Sequence, residues 1–320
     1  MDMRVKDFDE FKRPSRKPWL LLIVLVIGAG VLVHRHRGRP ESGPDPASGP
    51  VAAEAEAVPE TAGEGDAPSV TRSPRVETPE DVRALYRQAR ELKQADDLLG
   101  ARRAYLAVLE RAEDARLIRS VQERLGAIHI ELILTPRPMP AKEEYVVQRG
   151  DFVQRIARQF GTTVELVKVG NRIADANMIR IGDRLQVFAG SFAIRVSKSR
   201  RELVVLMNDE FFKRYAVGIG RNDKTPEGTF AIAEKQKEPV WWPRGREIPF
   251  GHPDNVLGTR WLSLRATGQT ADVRGYGIHG TWEPETIGAA ESDGCIRMTN
   301  SDVEELYIYI PIGTPVRILP

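Results

Sequence analysis

An uncharged apolar run near the N-terminus, residues 19–33, limits where packed domains can begin. As a helix its fifteen residues would extend about 22 Å, and a basic cluster, residues 34–39, follows it directly. The next segment, residues 40–75, consists mainly of Pro, Gly, Ala, Ser and Glu and has no aromatic residue. Such a composition buries too little apolar surface to offset the entropy lost on ordering. The packed domains must therefore be built from the chain after residue 77.

We interpret residues 18–33 as an uncleaved membrane anchor. A cleaved signal peptide is the alternative, but the apolar run continues into basic residues rather than into a small-residue cleavage site. Six Lys or Arg residues lie in residues 1–17, whereas only Arg35, Arg37 and Arg39 follow the run closely. This asymmetry predicts a cytoplasmic tail, 1–17, and a single-pass protein of the inner (cytoplasmic) membrane whose later domains are periplasmic. Residues 34–77 are predicted to be a disordered linker.

The composition argues against several functional classes. The chain of 320 residues has 47 Lys and Arg against 45 Asp and Glu, without the basic excess of a nucleic-acid-binding protein. Its single cysteine, Cys295, excludes an intramolecular disulfide and a cysteine-based zinc cluster. The five histidines are scattered along the chain. We therefore expect no metal and no cofactor.

Three stripes of apolar residues, spaced three or four apart, lie between residues 78 and 135. Such spacing is typical of amphipathic helices, and Thr78-Pro79-Glu80-Asp81 is a typical helix start. The segment resembles about one and a half tetratricopeptide units. A structural spacer and a partner-binding repeat both stay open. His129 lies off the third stripe, which predicts a surface or boundary position.

A strand–helix–helix–strand pattern occupies residues 143–189. Its characteristic positions are Gly150-Asp151, Ile156-Ala157, Asn171 and Gly182 followed by Leu185. These positions are similar to those of a LysM module. The resemblance implies binding to glycan that contains N-acetylglucosamine, chiefly peptidoglycan. A folded spacer is the alternative.

Residues 191–320 contain short strands separated by turn residues, which predict a mostly β domain. In this domain Cys295 and His279 form a minimal pair for thiol acyl transfer, because a thiol needs a nearby base or cation to become a nucleophile. Glycines on both sides would let the backbone approach a substrate closely. They are Gly275, Gly277, Gly280 and Gly294. Taken alone, these residues fit a buried, inert cysteine better than a catalytic one.

The sequence around this pair is more specific. The two stretches are Tyr276-Gly-Ile-His279-Gly280-Thr281 and Ser292-Asp293-Gly294-Cys295-Ile296-Arg297-Met298-Thr-Asn300. Together with the flanking stretches 225–230, 257–262 and 311–316, they closely resemble the catalytic signature of the L,D-transpeptidases, the YkuD-type domain. The resemblance implies a sandwich-like catalytic domain that cross-links peptidoglycan.

In that family the cysteine is the nucleophile, and the resemblance implies this role for Cys295. It would attack a donor tetrapeptide stem and release D-alanine, with His279 as general acid and base. The backbone carbonyl of Gly280 would orient the imidazole. Further expected site residues are Ser292, Gly294 and Arg297, as support for the substrate or oxyanion, and Trp241 and Trp242, as a candidate lid.

One position departs from the commonest form of the signature. Many members have histidine where this chain has Asp293, and a negative charge two residues from Cys295 opposes thiolate formation unless Arg297 or another cation offsets it.

Trp261 is expected in the core and not at the substrate.

The residues do not identify the acceptor that resolves the thioester. An amine gives a transpeptidase, water an L,D-carboxypeptidase, and a wall protein an attachment enzyme. A non-catalytic peptidoglycan-binding tether is the alternative from another class. The expected partners are peptidoglycan stem peptides and glycan, the membrane through residues 18–33, and a protein that binds the helical segment, residues 78–135.

Overall fold

The structure, a computed structural model, describes residues 79–320, so the predicted tail, anchor and linker of residues 1–77 lie outside the described residues. Among residues 79–320, no helix has both the length and the apolar character that crossing a membrane requires. The described chain consists of a helical segment, a small βααβ unit and a mostly β domain.

The helical segment contains three consecutive helices. They are α1 (Pro79–Gln94), α2 (Leu98–Arg111) and α3 (Ala115–Ile133). An aspartate starts each of the last two helices: the side chain of Asp97 accepts the Gly100 N–H, and that of Asp114 accepts the Leu117 N–H. The three apolar stripes seen in the sequence lie on these three helices.

The βααβ unit has its own small core. Strand β1 (Lys142–Val146) pairs antiparallel with β2 (Arg184–Phe188). Helices α4 (Val153–Phe160) and α5 (Val164–Gly170) come between these two strands in the sequence. Helix α4 ends at Gly161, where the backbone is left-handed with a φ of 66°. The core residues are Val147, Val153, Ile156, Ala157, Val167, Leu185 and Val187. The strand–helix–helix–strand pattern predicted from the sequence is confirmed.

The β domain is a mixed sheet with one long helix. Its elements are β3 (Phe192–Ser197), β4 (Glu202–Met207), β5 (Glu210–Ala216), β6 (Ile219–Gly220), β7 (Gly228–Lys237), β8 (Arg260–Ala266), β9 (Gly277–His279), β10 (Ala290–Ser292), β11 (Ile296–Arg297), α6 (Asn300–Tyr309) and β12 (Pro315–Leu319). Eight strands form one sheet in the order β11-β9-β8-β7-β12-β3-β4-β5, and β6 pairs parallel with β10.

The chain that follows β5 returns to the opposite edge of this sheet. Gly218 and Arg297 exchange two backbone hydrogen bonds, each 2.9 Å long, and so link the end of β5 to β11. Because both edge strands are engaged at this point, the sheet curls back on itself. The residues that precede β6 are thereby placed against β11.

Helix α3 packs against β5 of the β domain, and His129 lies at this contact. Its ring stacks on Phe212 with centroids 5.1 Å apart, its Nδ1 lies 2.8 Å from the Phe212 carbonyl oxygen, and Arg102 Nε donates to its Nε2 at 3.1 Å. His129 is completely buried. The predicted surface or boundary position is therefore wrong, because the β domain covers the side of α3 that the apolar stripe leaves open.

The βααβ unit is fastened to both neighbours. Lys142 of β1 donates from Nζ to the carbonyl oxygens of Leu132 and Thr135, at 2.7 and 2.5 Å, and so caps the C-terminal end of α3. On the other side, the Thr163 hydroxyl donates to the Ile308 carbonyl of α6. These contacts join the three described parts through buried polar groups.

Burial of His129 predicts an acid-sensitive step in stability. Desolvation lowers the pKa of His129 to about 3, whereas histidine in an unfolded chain titrates near about 6.5. The neutral, buried imidazole therefore contributes its full stabilisation above about pH 6.5, and this stabilisation is lost as the pH falls. At pH 5 the loss from this one histidine lowers the free energy of unfolding by about 2 kcal/mol. Between pH 7.5 and 5, the unfolding free energy of the His129→Gln variant should fall by about 2 kcal/mol less than that of the unaltered protein.

Urea unfolding followed by circular dichroism at several pH values measures this difference. Parallel losses of stability in the two proteins would contradict a buried neutral imidazole at this contact.

Candidate active site

Cys295 and His279 meet through the pairing of two short strands. In the parallel β9–β11 pair, Ile278 lies opposite Ile296 and His279 opposite Arg297. Both isoleucines are fully buried in the core. Because side chains alternate along a strand, His279, Arg297 and the residue before β11, Cys295, project from the other face. The pair that is sixteen residues apart in sequence therefore shares one face of two adjacent strands.

The Cys295 thiol is half-buried against backbone. Its Sγ lies 3.7 Å from the Gly275 carbonyl oxygen, and the Gly277 backbone lies close enough to stabilise the thiolate weakly. Burial raises the pKa of Cys295 to about 11, and the charge of Asp293 adds to this increase. At neutral pH the group is therefore a thiol.

His279 is held by the carbonyl of the residue that follows it. Its Nδ1 lies 2.6 Å from the Gly280 carbonyl oxygen, and because a carbonyl only accepts, Nδ1 carries the proton and Nε2 the lone pair. Burial lowers the pKa of His279 to about 4, and the Arg297 charge lowers it further, although the Gly280 and Leu257 carbonyls oppose these effects. The imidazole is thus neutral and has one nitrogen available as a base.

Trp261 contributes to the site, contrary to its expected position in the core. It lies opposite His279 in the β8–β9 pair, it is half-buried, and the two rings have centroids 5.8 Å apart. Gly277 is required beside it, since a Cβ there would lie 2.5 Å from the indole. Because Trp261 lies across the strand pair from His279, its ring packs beside the imidazole. The sequence alone does not give this cross-strand pairing.

Ser292 and Gly294 shape the turn that presents Cys295. The Ser292 hydroxyl donates to the Cys295 carbonyl at 2.7 Å and accepts the Gly294 N–H at 3.1 Å. Gly294 has a φ of 129°, and a Cβ there would lie 2.5 Å from the Tyr276 ring. Because Ser292 occupies the Gly294 amide, this amide is not free to bind an oxyanion, and the expected donor role of Gly294 is replaced by a conformational one.

Two cations offset the charge of Asp293. Arg221 Nη2 lies 2.5 Å and Lys224 Nζ 3.1 Å from its Oδ1, and together they lower the pKa of this carboxyl. The Asp293 side chain is 74% exposed and faces these cations at the surface. Of the two sources that the sequence analysis allowed, Arg297 or another cation, the offset therefore comes from other cations, in the loop after β6.

Arg297 is paired only loosely. Its guanidinium lies 3.6 Å from the carboxylates of both Glu283 and Glu291, although its side chain is only 11% exposed. Among the described residues, no hydrogen-bond acceptor reaches its buried Nε and Nη2. Arg297 thus presents unused donors beside His279.

The insertion that contains Trp241 and Trp242 forms a short hairpin. Trp241 exchanges two backbone hydrogen bonds, both 2.8 Å, with Ile248, while Trp242 is 59% exposed. The buried Asn255 fastens the base of the hairpin, because its Nδ2 donates to the carbonyls of Pro239 and Ile248. The two tryptophans therefore lie on a surface hairpin.

The insertion also connects directly to the imidazole. Leu257, three residues before β8 begins, has a carbonyl close enough to His279 to influence its pKa. Trp282, three residues after His279, donates from its indole N–H to the Asn255 carbonyl at 2.9 Å. Sequence reasoning did not single out Asn255 or Trp282. The one signal for Trp282 was its position directly after the signature stretch 276–281.

Comparison with known proteins agrees with this geometry. Residues 191–318 match the L,D-transpeptidase catalytic domain (YkuD), and residues 145–188 match the LysM domain. YqjB of Bacillus subtilis, assigned by name to the L,D-transpeptidases, is 43% identical over 124 residues, which are 38% of this chain and 68% of that protein. The chain belongs to the L,D-transpeptidase family.

A second curated relative and one solved structure are also similar to parts of this chain. YkuD of Bacillus licheniformis, also assigned by name to the L,D-transpeptidases, is 33% identical over 55% of this chain and 98% of its own length. A crystal structure of an L,D-transpeptidase from Mycobacterium tuberculosis is 18% identical, covers 42% of this chain and has a TM-score of 0.33; the match spans 64% of that chain. The L,D-transpeptidase described here thus combines a YkuD catalytic domain with a LysM domain and an additional helical segment.

The electrostatics of this L,D-transpeptidase site predict how its thiol reacts. Below a pKa of about 11 the thiolate fraction rises about tenfold per pH unit, so iodoacetamide alkylation of Cys295 should rise steadily from pH 7 to 9 without a plateau. Removing the Asp293 charge leaves Arg221 and Lys224 unneutralised nearby. The Asp293→Asn variant should therefore be alkylated about threefold faster at pH 8.

Asp254→Asn, which removes the carboxylate paired with Arg246 on the insertion, is the matched control and should leave the rate unchanged. A plateau near neutral pH in the unaltered protein would show instead that a thiolate–imidazolium pair already exists in the free enzyme.

Proposed function

We propose that this L,D-transpeptidase joins peptidoglycan stems through a thioester on Cys295. The single observation that carries the proposal is the β9–β11 register, which sets a half-buried thiol and an imidazole of fixed tautomer on one face. Cys295 attacks the carbonyl before the terminal D-alanine of a tetrapeptide stem. The C–S bond forms as the peptide C–N bond breaks, and D-alanine leaves as the amine.

His279 moves the protons in both halves of this reaction. Because both groups are neutral in the free enzyme, its Nε2 takes the thiol proton during attack rather than before it, and then gives that proton to the departing amine. In the second half His279 takes a proton from the acceptor amine as this amine attacks the thioester. The new C–N bond forms, the C–S bond breaks, and the proton passes from His279 to the Cys295 sulfur. The Gly280 carbonyl stabilises the imidazolium that forms in each step.

Arg297 is proposed to bind a carboxylate of the substrate. Its buried Nε and Nη2 lack partners among the described residues, and its two glutamate contacts, at 3.6 Å, are easily exchanged for a better acceptor. The terminal carboxylate of the donor stem lies next to the bond that breaks. Binding of this carboxylate by Arg297 would favour stems that retain the final D-alanine.

An amine, the side-chain amine of a diamino acid in a neighbouring stem, is the proposed acceptor. Arg297 lies opposite His279 in the β9–β11 pair, and the carboxylates of Glu283 and Glu291 lie beside Arg297. Both glutamate side chains are more than half exposed. These two exposed carboxylates attract the cationic amine of an acceptor stem toward the site, where His279 takes a proton from the amine as it attacks the thioester. This favours an amine acceptor over water, and therefore transfer over hydrolysis.

Variants of the two reacting residues test the reaction. With disaccharide-tetrapeptide as substrate, the unaltered protein should give crosslinked dimer and free D-alanine, while Cys295→Ala and Cys295→Ser should give neither. His279→Ala should be acylated by a carbapenem about 10²–10⁴-fold more slowly at neutral pH, and should recover as rising pH supplies thiolate. Mass spectrometry of products and of intact protein reads out both effects.

The outcomes of this test separate the alternatives. Tripeptide product would indicate a carboxypeptidase, and an unchanged substrate would indicate a non-catalytic tether. Acylation of Cys295→Ala at the rate of the unaltered protein would show that the nucleophile is elsewhere.

The LysM domain is proposed to hold the glycan strand to which the stems are attached. Large apolar side chains are exposed on the unit despite their size, with Phe152 46%, Met178 66% and Ile181 70% exposed. Exposed apolar groups of this kind suit the apolar faces of sugar rings. The helical segment is proposed to support the catalytic domain, with a protein partner as the alternative.

Residues 18–33 are proposed to anchor the enzyme in the inner membrane, with the catalytic domain in the periplasm. The support is the basic asymmetry around the apolar run. The protein recovered from the membrane fraction should therefore retain this segment. N-terminal sequencing checks this, and a mature N-terminus near residues 30–45 would contradict the anchor.

A further inference from the structure

Asn300 connects the segment of Cys295 to the segment of His279. It is the first residue of α6, five residues after Cys295, and follows the helix cap Thr299. Its Oδ1 accepts the Thr259 N–H at 3.1 Å. Thr259 directly precedes β8, so the Asn300 side chain reaches from the connection after β11 to the connection before β8.

Two glycines allow this close approach. A Cβ on Gly280 would collide with Asn300 Oδ1, and a Cβ on Gly258 would collide with the same atom. Gly258 has a φ of 63°, and its Cβ would also lie 2.5 Å from the Gly280 carbonyl carbon. The backbones at 258 and 280 therefore pack against each other and against the Asn300 side chain, with no space for a Cβ at either glycine.

The contacted backbone is the part that orients the imidazole. The Gly280 carbonyl accepts the His279 Nδ1 proton at 2.6 Å, and the Leu257 carbonyl next to Gly258 also lies near the ring. From the nucleophile segment, the Met298 N–H donates to the His279 carbonyl at 2.8 Å. Asn300 thus packs behind the peptide whose oxygen fixes the tautomer and direction of His279.

We propose that Asn300 is a positioning residue that holds the Gly280 carbonyl, and through it the His279 imidazole, in line with Cys295. This rests on the proposed function, in which His279 is the base. Asn300 touches neither the thiol nor the imidazole in this arrangement. It acts by tying the Gly258–Thr259 connection and Gly280 to the short segment that also carries Cys295.

The rate of acylation by a carbapenem, compared with alkylation of the thiol at high pH, tests this role. In Asn300→Ala the acylation rate at pH 7 should fall by about 10²-fold, since misplacing a reacting group by about 1 Å has an effect of that size. Alkylation by iodoacetamide at pH 10 needs no base and should stay within about twofold of the unaltered protein. Ser301→Ala, one residue further along the same helix turn, is the matched control and should change neither rate.

Asn300→Asp is a second variant, for the case that Asn300→Ala does not fold. It keeps an oxygen that can accept the Thr259 N–H. Its added negative charge behind Gly280 should favour the imidazolium, so the pH profile of acylation should move to higher pH while the thiol remains alkylated normally. Because this shift comes from the added charge alone, the positioning role is measured by the acylation rate at the plateau of the profile, which Asn300→Asp should retain and Asn300→Ala should lose.

A double variant separates this proposal from the proposed function. If Asn300 acts through His279, Asn300→Ala should slow acylation no further in the His279→Ala background. Unchanged acylation in folded Asn300→Ala, or an equal loss of alkylation at pH 10, overturns the positioning role while leaving Cys295 and His279 in place. Unchanged acylation in His279→Ala overturns the proposed base itself.

Discussion

The register of the β9–β11 pair is the constraint on which the site depends. It puts His279 beside Arg297 and sends Cys295 to the same face, while Ile278 and Ile296 anchor both strands in the core. A shift of one residue would send each of these side chains to the opposite face. The backbone exchange between Gly218 and Arg297 holds β11 from its other side, so the short strand cannot slip alone.

Burial then decides the protonation of the pair. A half-buried thiol with a raised pKa and a buried imidazole with a lowered pKa are both neutral, so charge separation occurs only during the reaction. Charges nearby modify this balance: Asp293 opposes thiolate formation, and its two cations screen it. The two exposed ion pairs of Asp293, with Arg221 and Lys224, add little to the stability of the fold, and their main effect is on the electrostatic potential at Cys295.

The additional parts form one assembly with the catalytic domain. His129 and Phe212 stack across the contact between α3 and β5, Lys142 caps α3 from the LysM unit, and Thr163 bonds to α6. Because α6 begins directly after the Cys295 segment, the LysM unit contacts the helix that Asn300 starts. A glycan held by LysM would therefore be presented at a fixed position relative to the catalytic domain.

The sequence alone determined the local features: three helical stripes, the βααβ order, a β-rich last domain, and a signature that singled out Cys295, His279 and Gly280. Spacing and residue type are enough for the stripes, the βααβ order and the β-rich domain, because each depends on neighbours in the chain, whereas the three site residues rest on the resemblance to the L,D-transpeptidase signature. The burial of His129, the place of Trp261 beside the imidazole, the cations on Asp293 and the packing of Asn300 against Gly258 and Gly280 were decided only by the tertiary structure. Each of these joins segments tens of residues apart, and no periodicity within one segment reports which distant backbone or charge will cover it.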